Sequence, residues 1–411
     1  MKTGSKASRP APSAVARNVA AAVNFETPTG LTRAQRYAWT SRKLGRDMPA
    51  VATWHWRLDL LVNWYGSFRR DGTKGVRDCA HETRVQRSSR LFMCFEQLRA
   101  LGYKVQDPLN LTGAHVDALV KCWIEEKQYS DSTINNRLSA LRVFCDWVGK
   151  VGIVKGTHEY ATPERPLKRS GSADRDKSWS GNGVDVEAMV EKVFKLDDVV
   201  GAQLVAMSAF GLRAREARML EPLLCIQDHQ VLLIKGPKGG LSRVVPIETE
   251  QQRQSARWLK AFAEKQPVPY LGWRGRNLQQ ARRRMYYILE KAGITVDESG
   301  VTAHGLRHEY VHNSMIRMGL IPAVKGGTKD QMPTERRDLV FRYASRLTGH
   351  SRASITCAYS GSFHKAVAPE PTTPYSAAFY SLTPQALNPV ADSPAQSSTA
   401  NDGEQDDDEK K

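Results

Sequence analysis

No apolar stretch in this sequence approaches the roughly 20 residues a helix needs to cross a bilayer, so none is read as a membrane span. The basic start, MKTGSKASRPAPSAVARNVAAAV, has no continuous apolar core before a cleavage site, which argues against a secretory signal. Cysteine is scarce. The six residues (Cys79, Cys94, Cys122, Cys145, Cys225, Cys357) show no CxxC spacing, which argues against a zinc ribbon or a disulfide scaffold. Several sit in apolar periodic stretches and read as buried thiols in a reducing cytoplasm. Acidic residues are outnumbered 43 to 60 by Lys and Arg, giving a formal charge of +17 in 411 residues. The last eleven residues hold six acids and two lysines, so the remainder carries about +21. An excess that large favours a polyanionic partner, because each cation that meets a phosphate releases a condensed counterion.

No internal repeat is apparent, and composition divides the chain into six stretches. Residues 1–28 form a flexible basic arm rich in Ala, Ser, Pro and Arg, and residues 29–79 a helical extension. In the latter, Trp54, Trp56, Leu60, Leu61, Trp64 and Phe68 have the spacing of a core-facing stripe. Residues 80–154 read as a compact helical module. Leu91, Phe95, Leu98 and Leu101 repeat on one face up to Gly102, and Thr112 caps a second helix. Ser132 or Thr133 caps a third, with Ile134, Leu138, Leu141, Phe144 and Trp147 inward. Asn135, Asn136, Arg137 and Arg142 are expected outward, as a solvated face or a DNA-contacting one. Residues 155–180 lack apolar periodicity and read as a linker. Residues 181–365 form a second domain, mainly helical, with strands at 231–234 and 243–247 joined by the turn Gly236-Pro237-Lys238-Gly239-Gly240. A flexible tail, acidic at its end, occupies 366–411.

Four segments of the second domain place a cation, an imidazole or a phenol in an apolar context. In Gly211-Leu212-Arg213-Ala214-Arg215-Glu216, the glycine can break the preceding helix, letting Arg213 project inward with Glu216 placed to orient it. Lys238 lies on the glycine-rich hairpin. In Thr302-Ala303-His304-Gly305-Leu306-Arg307-His308, Thr302 can cap a helix whose N-terminus presents His304 and Arg307 to an anion. His304 and His308, at i and i+4, are also a metal-ligand spacing, but no acid neighbours His304 as in an HExxH helix. Finally, Leu347-Thr348-Gly349-His350 precedes Tyr359 by nine residues from the histidine. Each segment has a bland reading: solvated arginines, an ordinary hairpin lysine, a packed tyrosine.

Together, the order Arg, Lys, His-x-x-Arg, Gly-His, Tyr resembles the active site of tyrosine recombinases of the phage-integrase type. The resemblance covers about residues 180–364, and the preceding module is similar to that family's SAM-like core-binding domain. It implies a mainly α fold with a small antiparallel β-sheet in the catalytic domain, and a two-domain, C-shaped clamp on duplex DNA. It implies Tyr359 as the nucleophile that forms a 3′-phosphotyrosyl bond, Arg213 and Arg307 as phosphate clamps, and Lys238 as the acid. His304 and His350 become hydrogen-bonding or proton-transfer groups, with Glu216 and His308 in support. Lys235 competes with Lys238, and Arg137, Arg142, Lys235 and Arg243 are candidate DNA contacts. No metal or other cofactor is implied, and no Walker loop is present, in keeping with rejoining driven by the stored phosphodiester energy.

The implied partners are double-stranded DNA, a homotetramer on paired sites, and an accessory DNA-bending or directionality factor. The implied role is integration or excision of a mobile element on the nucleoid in a prokaryotic or phage setting. A type IB topoisomerase-like nicking-closing enzyme and a catalytically silent DNA-binding regulator stay open beside it. One departure is spacing: Arg307 and His350 lie further apart than is usual in the family. The stretch 319–342 therefore reads as an inserted basic loop, mobile by its glycine content and either a contact for DNA or a second subunit, or neutral decoration.

Overall fold

The computed structural model describes residues 32–47, 53–66, 79–167, 170–236 and 242–363. The basic arm, the tail with Tyr375 and Tyr380, and Lys238 lie outside these residues. The chain divides between Ser170 and Gly171 into two compact units, a boundary that falls inside the 155–180 stretch. The fold is mainly helical with one small antiparallel sheet. Among the described residues, no helix is long and apolar enough to cross a membrane.

The first unit contains α1 (Arg33–Asp47), α2 (Trp54–Tyr65), α3 (His81–Ala100), α4 (Gly113–Lys121) and α5 (Asp131–Trp147). Its core gathers Leu58, Leu91, Phe95, Leu98, Leu119, Trp123, Leu138, Leu141 and Phe144 with Leu60, Leu61 and Trp64 of the α2 stripe; Trp54 packs against it, Trp56 is half-buried, and Phe68 lies outside the described residues. Thr112 caps α4 by accepting the His115 amide, while the His115 ring accepts the Thr112 amide in return. The cap of α5 differs from the expectation. Ser130, not Ser132 or Thr133, is extended at the N-terminus and accepts the Thr133 amide.

The basic face of α5 also differs. Arg137 is buried, donating to Gln97 Oε1 at 2.9 Å with its guanidinium 4.2 Å from the Tyr129 ring centre. Arg142 is half-buried and donates to the Lys155 carbonyl at 2.5 Å. An arginine at a polar position of the helical pattern goes inside here because Gln97 and Tyr129 receive its charge.

The second unit contains α6 (Val186–Leu196), α7 (Asp198–Phe210), α8 (Ala214–Arg218), α9 (Pro222–Cys225), β1 (Gln230–Leu233), β2 (Arg243–Pro246), α10 (Glu250–Glu264), α11 (Leu278–Lys291), α12 (Val296–Ser299), α13 (Gly305–Arg317), α14 (Thr334–Leu347) and α15 (Cys357–Ser360). α7 is apolar almost all round, so it runs through the core. Its buried Gln203 donates to the Leu271 carbonyl at 2.8 Å. The β strands pair antiparallel with Val231 opposite Val245 and Leu233 opposite Arg243.

The 319–342 stretch is not a free loop. It forms short 3₁₀ turns at Ala323–Lys325 and Lys329–Gln331, then the first turns of α14. Gln331 ties it down by hydrogen bonds to both Ile321 backbone groups.

Gly211 ends α7 at φ +60°, and a Cβ there would sit 2.3 Å from Cδ1 of Tyr310. Gly211→Ala combines left-handed strain with overpacking. It is expected to cost about 1–3 kcal/mol, read as a lower denaturation midpoint. An unchanged midpoint would contradict the packing described.

Candidate active site

Once Gly211 has broken α7, Arg213 is extended at the start of α8, and Glu216 falls at its third position. The Glu216 carboxylate accepts the Arg213 amide at 2.8 Å and the Arg213 guanidinium at 2.8 Å. Its Oε2 also takes Nη2 of Arg243 at 2.7 Å and lies 3.8 Å from Nη1 of Arg307. Burial alone would raise this carboxyl, but Arg243 above all, with Arg213 and Arg307, holds it down at about 2.

The other anchor is a helix end. The last carbonyls of α14 have no intrahelical partners, and Gly349, at φ +69°, turns the chain away behind them. The Thr348 carbonyl accepts Nη2 of Arg213 at 3.1 Å and Nη2 of Arg307 at 2.5 Å, and the Leu347 carbonyl accepts Nη1 of Arg243. The Gly211 carbonyl takes Nη1 of Arg307 at 2.5 Å. The negative end of the α14 dipole thus faces three guanidiniums. Gly349 is required for this approach, since a Cβ there would lie 2.6 Å from Cδ of Arg243. With one carboxylate against three guanidiniums, the cluster keeps two positive charges in excess. Burial pushes even the Arg307 guanidinium down, to about 10.

Tyr359 enters this cluster from α15. It is 6% exposed, and its hydroxyl accepts Nε of Arg307 at 3.0 Å and lies 3.4 Å from Nε2 of His350. The same His350 nitrogen is 3.4 Å from Nη2 of Arg213. Three histidines four residues apart, one at the cap of α13 and two within it, line the tyrosine. The His304 and His308 ring centres are 6.1 and 5.0 Å from that of Tyr359, and His312 Nε2 donates to the Tyr359 carbonyl at 2.9 Å. α13 starts at Gly305 with His304 at the cap position, not with Thr302 as the cap. The Thr302 carbonyl instead accepts the Trp179 indole N–H at 2.8 Å.

Crowding by protein, and then the cations of Arg307, Arg213 and Lys177, push His304 down to about 4, although part of it reaches solvent. Burial, and then His304 and His312, push His308 to about 3. Both rings are therefore neutral at pH 6, where an unfolded histidine is largely protonated. The unfolded chain binds more protons below pH 6.5, so stability is expected to fall as pH drops from about 6.5 towards about 4. Ring-proton NMR titration checks the cause: a midpoint near 6.5 for either residue would contradict it.

The structure thus brings together Arg213, Glu216, His304, Arg307, His308, His350 and Tyr359. Arg243 joins them, buried between Glu216 and the Leu347 carbonyl rather than facing a DNA surface, because Glu216 supplies its counter-charge. Lys235 is exposed and ion-paired with Glu221. Sequence reading missed His312, Asp176, Lys325 and the Thr348 carbonyl. His312 had a signal, the four-residue repeat from His304 and His308; Asp176 sits in a polar stretch with none. Among the described residues, no group of three or more His, Cys, Asp or Glu could hold a metal ion.

Residues 74–154 match the family described as phage integrase, N-terminal. The tyrosine recombinase XerA of Pyrococcus horikoshii is 24% identical over 179 residues, covering 42% of this chain and 55% of the relative. Part of the chain is thus similar to a tyrosine recombinase. It spans little more than half the length of that curated relative.

Among solved structures, a lambda integrase dimer bound to a COC′ core site is similar, with 14% identity, coverage of 82% of this chain and 83% of that one, and a TM-score of 0.47. XerH recombinase bound to a palindromic difH substrate shows 14% identity, 84% and 89% coverage, and a TM-score of 0.44. The XerA recombinase crystal structure shows 15% identity, 74% and 93% coverage, and a TM-score of 0.30.

Proposed function

We propose that this protein cuts and rejoins duplex DNA at specific sites through a 3′-phosphotyrosyl intermediate, for integration or excision of a mobile element. The observation that carries the reading is a buried tyrosine hydroxyl bonded to one of three guanidiniums whose combined charge exceeds that of Glu216 by two. A phosphodiester carries one negative charge, and the pentacoordinate state formed by attack carries two. A fixed excess of two favours the transition state over the ground state.

In this reading, Oη of Tyr359 bonds to phosphorus while the P–O5′ bond breaks. The arginine bond to Oη comes from Arg307, so the phenolic proton points to Nε2 of His350, which accepts it. Arg213 and Arg307 bind the nonbridging oxygens, and Arg243 braces Glu216. Neutral His304 offers a further hydrogen bond to the phosphate. The leaving 5′ oxygen takes its proton from Lys238. Duplex DNA, a homotetramer on paired sites and an accessory factor complete the reading, with a prokaryotic nucleoid as the setting.

Incubating the protein with a library of nicked duplexes tests it, because loss of the short fragment past the nick traps the covalent step. The expected result is a 3′-linked DNA adduct on the peptide bearing Tyr359, with the attached sequences revealing the site. No adduct, or an adduct on another residue, would overturn the reading. Relaxation of supercoiled DNA without exchange between paired sites would mark a topoisomerase instead.

A further inference from the structure

We propose that Lys325, Asp176 and His312 form a positioning relay that seats Tyr359 for attack, which makes the 319–333 segment part of the reaction machinery. The inference rests on the reading of Tyr359 as nucleophile. It starts from the shortness of α15. Four residues, Cys357–Ser360, close a single turn through the Gly361 amide and the Cys357 carbonyl. A helix that short cannot hold itself, so its place is set by what touches it.

Besides the contacts of the Tyr359 side chain, three others help to set it. The Ala173 amide donates to the Cys357 carbonyl at 2.8 Å. Gly361, at φ +75°, lies so close to the 3₁₀ turn Ala323–Lys325 that a Cβ would sit 2.9 Å from Cγ1 of Val324 and 3.2 Å from its amide nitrogen. Between them, wholly buried His312 donates from Nε2 to the carbonyl of Tyr359 itself at 2.9 Å.

What orients His312 arrives from the inserted segment. A carbonyl only accepts, so Nε2 carries the proton, and in the neutral ring Nδ1 presents a lone pair. That Nδ1 makes no hydrogen bond and lies 3.5 Å from Oδ1 of Asp176. A lone pair facing a carboxylate is unfavourable unless the carboxylate is otherwise satisfied. Asp176 is satisfied: Oδ1 accepts the Ser178 amide at 2.8 Å and the Ser178 hydroxyl at 2.7 Å, and Oδ2 takes Nζ of Lys325 at 2.7 Å. The Lys325 side chain is only 7% exposed, unusual for a lysine and explained by this pairing.

Without the ammonium, Asp176 would draw a proton onto Nδ1. The new N–H···O bond would close the 3.5 Å gap and pull the ring away from the Tyr359 carbonyl. The other charged or titratable groups that face His312 are Glu309, and His308 with its ring centre 6.1 Å away. Glu309 favours protonation too, so Lys325 is the counterweight.

The test measures single-turnover adduct formation on a nicked duplex, with duplex affinity and thermal midpoint measured alongside, for Lys325→Met, Lys325→Arg and the double variant Lys325→Met/Asp176→Asn. Lys325→Met is expected to slow cleavage about tenfold or more at near-unchanged affinity, the size of effect that misplacement by a fraction of an ångström produces. Its deficit should shrink as pH rises from about 6 to about 8, where His312 sheds the extra proton. Lys325→Arg keeps the cation and should cleave near the wild-type rate. The double variant removes the pull as well as the counterweight and should recover most of the loss.

A Lys325→Met protein that cleaves like wild type at every pH would overturn the relay. So would a double variant no faster than the single one, or cleavage lost only in step with affinity and thermal midpoint. If the wild-type protein forms no adduct, the recombinase reading itself fails. If it does and Lys325→Met matches it, only the relay fails.

Discussion

Tyr359→Phe is expected to reduce covalent adduct formation to background, at least about a thousandfold, while duplex affinity stays close to wild type. The substitution removes one oxygen, and the hydroxyls of Ser360 and Thr348 are already committed elsewhere. Ser360 is fully buried with its hydroxyl committed to the Thr356 and Gly361 carbonyls. The Thr348 hydroxyl is turned back onto the Ala344 and Ser345 carbonyls. Duplex affinity should survive because the excess cations of Arg213, Arg243 and Arg307 do not depend on the phenol. A modest loss of thermal stability, about 1–3 kcal/mol, is expected from leaving Nε of Arg307 without its acceptor in a buried site. An undiminished adduct would rule out Tyr359 as the nucleophile.

Glu216→Gln is expected to be the most destabilising isosteric change in the second unit. Glu216 is wholly buried and touches Arg213, Arg243 and Arg307, so neutralising it removes the carboxylate that these three guanidiniums share. Removing one partner of a buried ion pair costs about 3–5 kcal/mol, and here the partner is shared. The same substitution should cut cleavage about a hundredfold or more, because the clamps lose their common anchor.

The pH dependence gives an independent check. The folded carboxyl titrates at about 2 against 4.5 for the free side chain, so its contribution is complete above 4.5. It is lost as pH falls from 4.5 towards 2, since the unfolded state then binds the proton first. Glu216→Gln should flatten that limb of the stability profile. Equal denaturation midpoints for the two proteins at pH 7 would contradict the anchoring role.

Much of the candidate site is legible along the chain because its pieces are local. Arg213 and Glu216 share one helical turn, His304, Arg307 and His308 share another, and His350 and Tyr359 are nine residues apart. Helical periodicity also found much of the core of the first unit, since a buried stripe must repeat at helical spacing. The pattern misplaced Arg137 and Arg243, because periodicity assigns a charge to the surface unless a partner is known. Those partners, Gln97 with Tyr129 and Glu216, come from other elements. It also read 319–342 as a loose insertion, where glycine and lysine content resembles that of a solvated loop.

By itself, then, the sequence determined which residues meet at the candidate site and the order of the helices that present them. The tertiary structure alone decided how their charges are balanced: one carboxylate and the carbonyl end of α14 for three guanidiniums, and Lys325 on Asp176 behind the tyrosine. The physical reason is that an ion pair in the interior depends on distance in space, and distance in space between residues such as Asp176, His312 and Lys325 has no local signature in a linear chain.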